Sequence, residues 1–311
     1  MKRTLPTLIS FFSVVLFSYI LPVTLYAQTP EASPSAITPT LSELPAVLPT
    51  VTPSMQPTTS FRVLQKINEL ATPTPSTESA TPVASSSASD YCLNVPIIMY
   101  HHVEPIEISS QLGHPQLTVD SNIFQEHIQY LVQHHYHFLS LETLVHAILD
   151  RKTVPDKSVV ITLDDGYIDD YTYAFLMAKK YQVIMNFMIP TGLVGQPDYM
   201  TWDHLEELAV NPYARIYNHT TTHAPLGLIS QDEIIKEVTT ANKQLKDNLG
   251  IDNDIVVYPY GSYSDLAIQT LTQLGMIAGL STDPGTNDCI SNIMKLPRVR
   301  VGNEALSLYG Y

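Results

Sequence analysis

Positive charge is scarce in this chain. Against 30 Asp and Glu stand only 16 Lys and Arg, a formal charge of −14. A surface of that sign argues against nucleic acid or an acidic membrane as partner and suits a neutral or cationic polymer. Glycine-rich phosphate loops are missing too: Gly192-Leu193-Val194-Gly195 lacks the further glycines and the lysine such loops need. No internal repeat is found. Cysteine is nearly absent, with Cys92 and Cys289 alone, so the chain has at most one disulfide to form.

What is present begins with an address. Met1-Lys2-Arg3 leads into an apolar stretch that ends near Leu25-Tyr26-Ala27, the pattern of a secretory signal over residues 1–27. Ser13, Ser18 and Pro22 interrupt the stretch and no Cys follows it, which disfavours a membrane span or a lipid anchor. The chain is therefore expected to be secreted or held at the cell surface, and to touch membrane only if the signal is retained. Residues 28–90 are rich in Pro, Ser, Thr and Ala and poor in large apolar side chains. Such a segment buries too little surface to offset its ordering entropy, so it reads as a disordered linker. Residues 61–70 have the pattern of a short amphipathic helix within it. Residues 91–311 are long enough for one domain with its own core. An oxidising destination permits a bridge between Cys92 and Cys289 if the strands that follow them are neighbours; the alternative is two free thiols.

Short apolar runs at 95–100, 158–163, 183–189, 255–258 and 276–281 read as strands, with a further short one at 214–217. Helical patterns alternate with them. Phe124, Ile128, Leu131 and Val132 share one face after Asp120-Ser121. Ser230 and Glu233 make a capping box, Gly250 closes that helix, and another spans 264–274. This alternation implies a mostly parallel α/β sheet, either open or closed as a (β/α) barrel. In both, reactive residues belong just past the carboxyl ends of strands.

The strand 158–163 stops at Asp164-Asp165-Gly166. Two adjacent carboxylates repel, and holding both ionised favours a nearby cation. Taken alone the triplet is as readily an ordinary turn. His219 and His223 follow a predicted strand, separated by three threonines that favour a curled loop over a helix. Two imidazoles and one carboxylate make the open, three-ligand site of hydrolytic metals. Many of the 11 histidines, such as His134, His135, His137 and His146, sit in predicted helices and read as solvated or packed. Two further strands end on chemistry-bearing residues, one in Tyr100-His101-His102 and one in Tyr258-Pro259-Tyr260-Gly261.

Taken in order, these motifs resemble the polysaccharide deacetylase domain, also known as the NodB-homology domain or carbohydrate esterase family four. The resemblance covers essentially all of 91–311. Thr162-Leu163-Asp164-Asp165-Gly166 and His219 to His223 match two family motifs, and Pro259-Tyr260 matches part of a third. Met99-Tyr100-His101, Met200-Thr201-Trp202-Asp203, Asp283-Pro284-Gly285 and residues 296–301 are similar to the branch that includes biofilm poly-N-acetylglucosamine deacetylases. The resemblance implies a distorted (β/α) barrel of the NodB-homology type. It also implies a divalent metal, most often Zn with Co, Ni, Mn or Fe as alternatives, held by Asp165, His219 and His223. Asp164 would be the general base toward an attacking water, and the Tyr260 backbone N–H would hold the oxyanion.

The sequence departs from the family at three places. No His follows His223, so the proton for the departing amine is expected from His101, with His102 as alternative. Tyr258 stands where an Arg usually orients the base; Arg298 is the expected substitute, and Arg300 shares its strand face by period two. Residues 211–218 differ from the usual run before the metal histidines. The reaction implied is removal of N-acetyl groups from an extracellular or cell-wall N-acetylglucosamine glycan by a monomer. An O-acetyl esterase acting on xylan, or a decayed carbohydrate-binding protein, are the competing expectations.

Overall fold

The computed structural model describes residues 90–311. The signal expected over 1–27, the short helix at 61–70 and all but the last residue of the segment 28–90 lie outside the described residues. At the boundary, the Asp90 carboxylate accepts hydrogen bonds from the backbone and hydroxyl of Ser291.

The first third runs β1 (Cys92–Asn94), β2 (Ile97–Tyr100), β3 (His102–Glu104), α1 (Ile106–Leu112), β4 (Thr118–Asp120), α2 (Ser121–Gln133), β5 (His137–Phe138) and α3 (Leu141–Leu149). The middle runs β6 (Ser158–Leu163), α4 (Phe175–Tyr181), β7 (Met185–Ile189), α5 (Trp202–Ala209), β8 (Ala214–Asn218) and α6 (Gln231–Leu249). The chain continues through β9 (Ile255–Val257), α7 (Asp265–Gln273), β10 (Ala278–Pro284), β11 (Asn287–Cys289) and β12 (Leu296–Arg300).

Strands β2, β12, β10, β9, β8, β7 and β6 lie side by side in that order, every pair parallel. Pairing of β2 back onto β6, from Ile97↔Val160 to Tyr100↔Leu163, closes the ring. The sheet is thus a seven-stranded parallel barrel, and β5 attaches outside it to the start of β6. Closure explains the continuous apolar runs. All six residues of β6 are buried, because an inner face meets the barrel core and an outer face meets helices. Each of the seven strands sends at least one residue inward to a single cluster: Ile97, Val160, Met188, Tyr217, Val257, Leu280 and Leu296. The alternate residues Val159, Ile161 and Leu163 join the outer layer with Phe124, Phe175 and Leu205 of the helices. One end of the interior is filled by α3 through Leu144 and Ile148. It is tied there by Asn186, which accepts from Leu141 N at 3.0 Å and donates to the Ile161 carbonyl at 2.9 Å.

The expected helix signals act as local physics dictates. Ser230 and Glu233 form the capping box of α6, and Gly250 ends it in the left-handed region, devices that contribute about 1 kcal/mol each. Three histidines expected in helices lie elsewhere. His134 caps the end of α2, His135 turns left-handed at φ 60° and breaks the helix, and His137 pairs with Ser158 as the start of β5. His146 does lie in a helix, α3.

Cys92 and Cys289 face one another across the antiparallel pair β1 and β11 and are joined by a disulfide. Beside it, Asp288 is fully buried, with one carboxylate oxygen accepting from Val95 N at 3.2 Å and the other without a hydrogen-bond partner among the described residues. Burial pushes its carboxyl up to about 8, against the Val95 hydrogen bond, which lowers it. A carboxyl whose folded pKa is raised binds more protons folded than unfolded, so its cost to stability grows from about pH 4 to pH 8 and then levels. Asp288→Asn keeps the acceptor and removes the charge. Thermal melts should show Tm raised by about 4–8 °C at pH 8.5 and nearly unchanged at pH 4; an equal shift at both would refute the assignment.

Candidate active site

Strand β6 delivers Asp164 and Asp165 at its carboxyl end. Asp164 N donates to the Tyr100 carbonyl on β2 at 3.0 Å, continuing the ladder by one residue. Asp165 and Gly166 then both take positive φ, 74° and 71°, and the chain reverses. Asp tolerates this region better than most side chains, and glycine enters it without penalty. The reversal sends the neighbouring carboxylates to different partners.

Asp164 meets Arg298 of β12. The guanidinium donates to both carboxylate oxygens at 2.7 Å, while its Nε donates to the Ser281 carbonyl at 2.8 Å and a terminal nitrogen to Thr162 Oγ1 at 3.2 Å. Both groups are nearly inaccessible, Arg298 1% and Asp164 2% exposed. Burial raises the Asp164 carboxyl, and the charge and paired hydrogen bonds of Arg298, with His219 and His101, more than reverse it, so the group lies below its ordinary value. Arg300 is exposed and donates instead to the Gln116 carbonyl.

Asp165 meets the histidine loop. Its Oδ1 lies 3.2 Å from His219 Nε2 and 3.0 Å from His223 Nε2. His219 Nδ1 is 2.8 Å from the Val257 carbonyl, which can only accept, so Nδ1 carries the hydrogen. A neutral His219 therefore turns an Nε2 lone pair toward a carboxylate oxygen. One oxygen and two imidazole nitrogens converge within 4.8 Å, a concentration of electron pairs that a shared cation relieves. Burial works to raise the Asp165 carboxyl; hydrogen bonds from the two imidazoles, when each carries a proton at Nε2 in place of a bound ion, outweigh it and hold the group well below the carboxylate range. The donor set fits a divalent ion.

The loop carrying the two imidazoles is strained and braced. Thr220 and His223 both have positive φ. Glu237 of α6 holds the loop from one side: its carboxylate accepts from Thr221 N at 2.9 Å, Thr222 N at 2.8 Å and the Thr222 hydroxyl at 2.8 Å. Gly192 holds it from the other, donating to the Thr221 carbonyl at 2.8 Å; a Cβ at Gly192 would stand 2.7 Å from that oxygen. Glu237 was not singled out in the sequence. The only signal there was three successive threonines whose backbone needed acceptors.

His101, in the bend after β2, lines one cleft with Asp164, Asp165, His219, His223 and Tyr260. Burial lowers the His101 pKa, and Arg298 and Arg300 add to that against the raising effect of Asp164 and Asp165. His102 points elsewhere, with Nδ1 2.7 Å from Asp169 Oδ2. Tyr260 sits at the rim, 71% exposed at φ 59°, its ring 4.6 Å from that of His223. Tyr258 is buried and donates to the Met294 carbonyl, away from the cleft. Larger hollows lie elsewhere on the domain; this one has a volume of only about 110 Å³.

The parallel barrel thus carries a carboxylate pair and an imidazole pair at the ends of its strands. Residues 151–279 match the family model for polysaccharide deacetylase, and the chain carries a domain of that family, of the NodB type. It is 26% identical over 207 residues to YxkH of Bacillus subtilis, provisionally named a polysaccharide deacetylase, spanning 67% of this chain and 71% of YxkH. It is 25% identical over 201 residues to the poly-beta-1,6-N-acetyl-D-glucosamine N-deacetylase of Staphylococcus aureus, spanning 60% and 69%. Among solved structures, the Streptococcus pyogenes deacetylase PplD in complex with acetate superposes with a TM-score of 0.63 at 26% identity, covering 67% of this chain and 92% of PplD. IcaB from Ammonifex degensii shares the fold, with a TM-score of 0.59 at 20% identity, covering 67% and 91%.

Proposed function

We propose that this chain hydrolyses N-acetyl groups on an extracellular N-acetylglucosamine polysaccharide, releasing acetate and leaving a free amine. The observation that carries the proposal is the cleft in which an ionised, Arg-anchored Asp164 stands beside the Asp165, His219 and His223 donor set. Its small volume suits an acetamido group, while a sugar chain would lie across the open rim beside Tyr260. The name of the Staphylococcus aureus relative supports the polymer. The expected signal over 1–27 supports secretion, and the expected linker over 28–90 supports reach into a surface matrix.

Asp165, His219 and His223 would hold a divalent ion, zinc first by donor type with Co, Ni, Mn or Fe as alternatives, which when bound polarises a carbonyl and acidifies water. Asp164 removes the proton from the attacking water as its oxygen bonds to the carbonyl carbon. Arg298 keeps that carboxylate ionised and oriented. The Tyr260 backbone N–H donates to the oxyanion. His101 delivers a proton to the nitrogen as the C–N bond breaks, since an amide anion is too basic to leave.

Acetate release from β-1,6-linked poly-N-acetylglucosamine, chitin oligomers, peptidoglycan and acetylated xylan tests the proposal. Release is expected from the β-1,6 polymer. Turnover confined to acetylated xylan would replace the reading with an O-acetyl esterase, and none at all with a binding protein.

Because Glu237 braces both imidazoles through the loop backbone, Glu237→Ala should weaken binding of zinc by about 10–100-fold in calorimetric titration. Thr222→Val, which removes only the hydroxyl contact, should weaken it less. Equal affinities for Glu237→Ala and the parent would show the brace to be irrelevant to the ligands.

A further inference from the structure

A second group of donors lies on the far side of His102. His102 and Glu104 are two apart on β3 and so face the same way. His114 follows Gly113, the left-handed residue that ends α1. One donor atom from each of the three lies within 4.8 Å of the others.

The Glu104 carboxylate marks the group as unfinished. Glu104 is 5% exposed, and its Oε1 has no hydrogen-bond partner among the described residues. His114 Nδ1 is 3.5 Å away, too far for a good hydrogen bond. A buried acceptor oxygen left without a partner is costly, and an ion between it and the neighbouring imidazoles relieves that cost.

His102 is already arranged as a ligand. Asp169 holds its Nδ1 at 2.7 Å and also accepts from Val103 N at 2.8 Å, which leaves Nε2 as the free donor. Carboxylate-bound imidazoles of this kind are the usual support of a metal-ligating histidine. Tyr167 covers one face of the ring at 3.6 Å and His114 the other at 4.0 Å, so His102 is fixed. His114 is the adjustable member. Its side chain is 24% exposed, and its Nδ1 has only long contacts, 3.2 Å to Ser109 Oγ and 3.4 Å to Thr118 Oγ1.

We propose that His102, Glu104 and His114 form a second site for a divalent transition-metal ion of the zinc class, separate from Asp165, His219 and His223. Two imidazoles and one carboxylate select zinc or cobalt over calcium and magnesium. The site does not depend on the deacetylase reading, because its donors are distinct from those facing the cleft.

Metal content of the full chain, stripped with chelator, reloaded with zinc and dialysed, tests the proposal. About two ions per chain are expected for the parent. Glu104→Gln and His114→Ala should each retain about one, His223→Ala about one, and His114→Ala combined with His223→Ala close to none. His114 is partly exposed, so its variant should fold, and a circular-dichroism melt checks that it has. An ion content that neither Glu104→Gln nor His114→Ala lowers below the parent's would overturn the proposal; one ion that only His223→Ala removes would leave the cleft as the sole site and overturn it too. Cobalt(II) absorption adds an independent reading: the His114→Ala spectrum should lose one of two components and keep the one lost in His223→Ala.

Discussion

Asp164→Asn should lower kcat for acetate release by about 10³-fold while leaving zinc content unchanged. An asparagine still fills the space and still accepts one hydrogen bond from Arg298, but it cannot take a proton from water. Asp165, His219 and His223, the residues proposed to hold the ion, are untouched by the change. The pH dependence follows from the direction of the shift. Asp164 lies below its ordinary value because Arg298, His219 and His101 outweigh burial. Its stabilising contribution is therefore complete above the unfolded carboxylate value, near pH 4, and is lost as pH falls through the lower folded value. The acid limb of kcat/KM assigned to this base should lie below pH 4. Retention of most activity in Asp164→Asn, with metal bound, would remove Asp164 from the role of base.

Arg298→Met should destabilise the domain by about 3–5 kcal/mol, read as a lowered urea midpoint at pH 7, and should abolish turnover. Removing the guanidinium strands a buried carboxylate and leaves the Ser281 carbonyl and Thr162 hydroxyl each without a donor. The pair, not the arginine alone, sets the cost. Adding Asp164→Asn to Arg298→Met should recover most of the lost stability, because the stranded charge is gone, yet restore no activity. Arg298→Lys should fall between, since an ammonium cannot donate to both oxygens and to Ser281 at once. If the double variant is as unstable as the sum of the single ones, the two residues do not act as a unit.

Several features were readable in the linear order because their causes are local. The strand 158–163 could be recognised from six consecutive residues, and its end from Asp164, Asp165 and Gly166. The helix Gln231–Leu249 announced itself through Ser230, Glu233 and Gly250, all devices spanning a single turn. Where local signals conflicted, sequence reasoning failed: the helical pattern around His134 to His137 is broken by a left-handed His135 and by pairing to a strand some twenty residues later. Glu237 escaped notice because two of its three carboxylate contacts are to backbone amides, which no residue type advertises.

The sequence by itself determined the strand-and-helix alternation, the carboxylate and imidazole pairs at strand ends, and the departures at Tyr258 and after His223. Each depends on residue identities within a few positions. Only the tertiary structure decided that the sheet closes, since that rests on β2 pairing with β6 across some sixty residues. It alone decided that Arg298 and not Arg300 reaches Asp164, 134 residues away in sequence. It likewise decided that His101 faces the cleft while His102 turns to Asp169, and that Cys92 meets Cys289 across 197 residues. Side-chain period alone cannot separate such alternatives, because which of two candidates on one strand reaches a partner depends on where neighbouring strands end. That register is a property of the closed barrel.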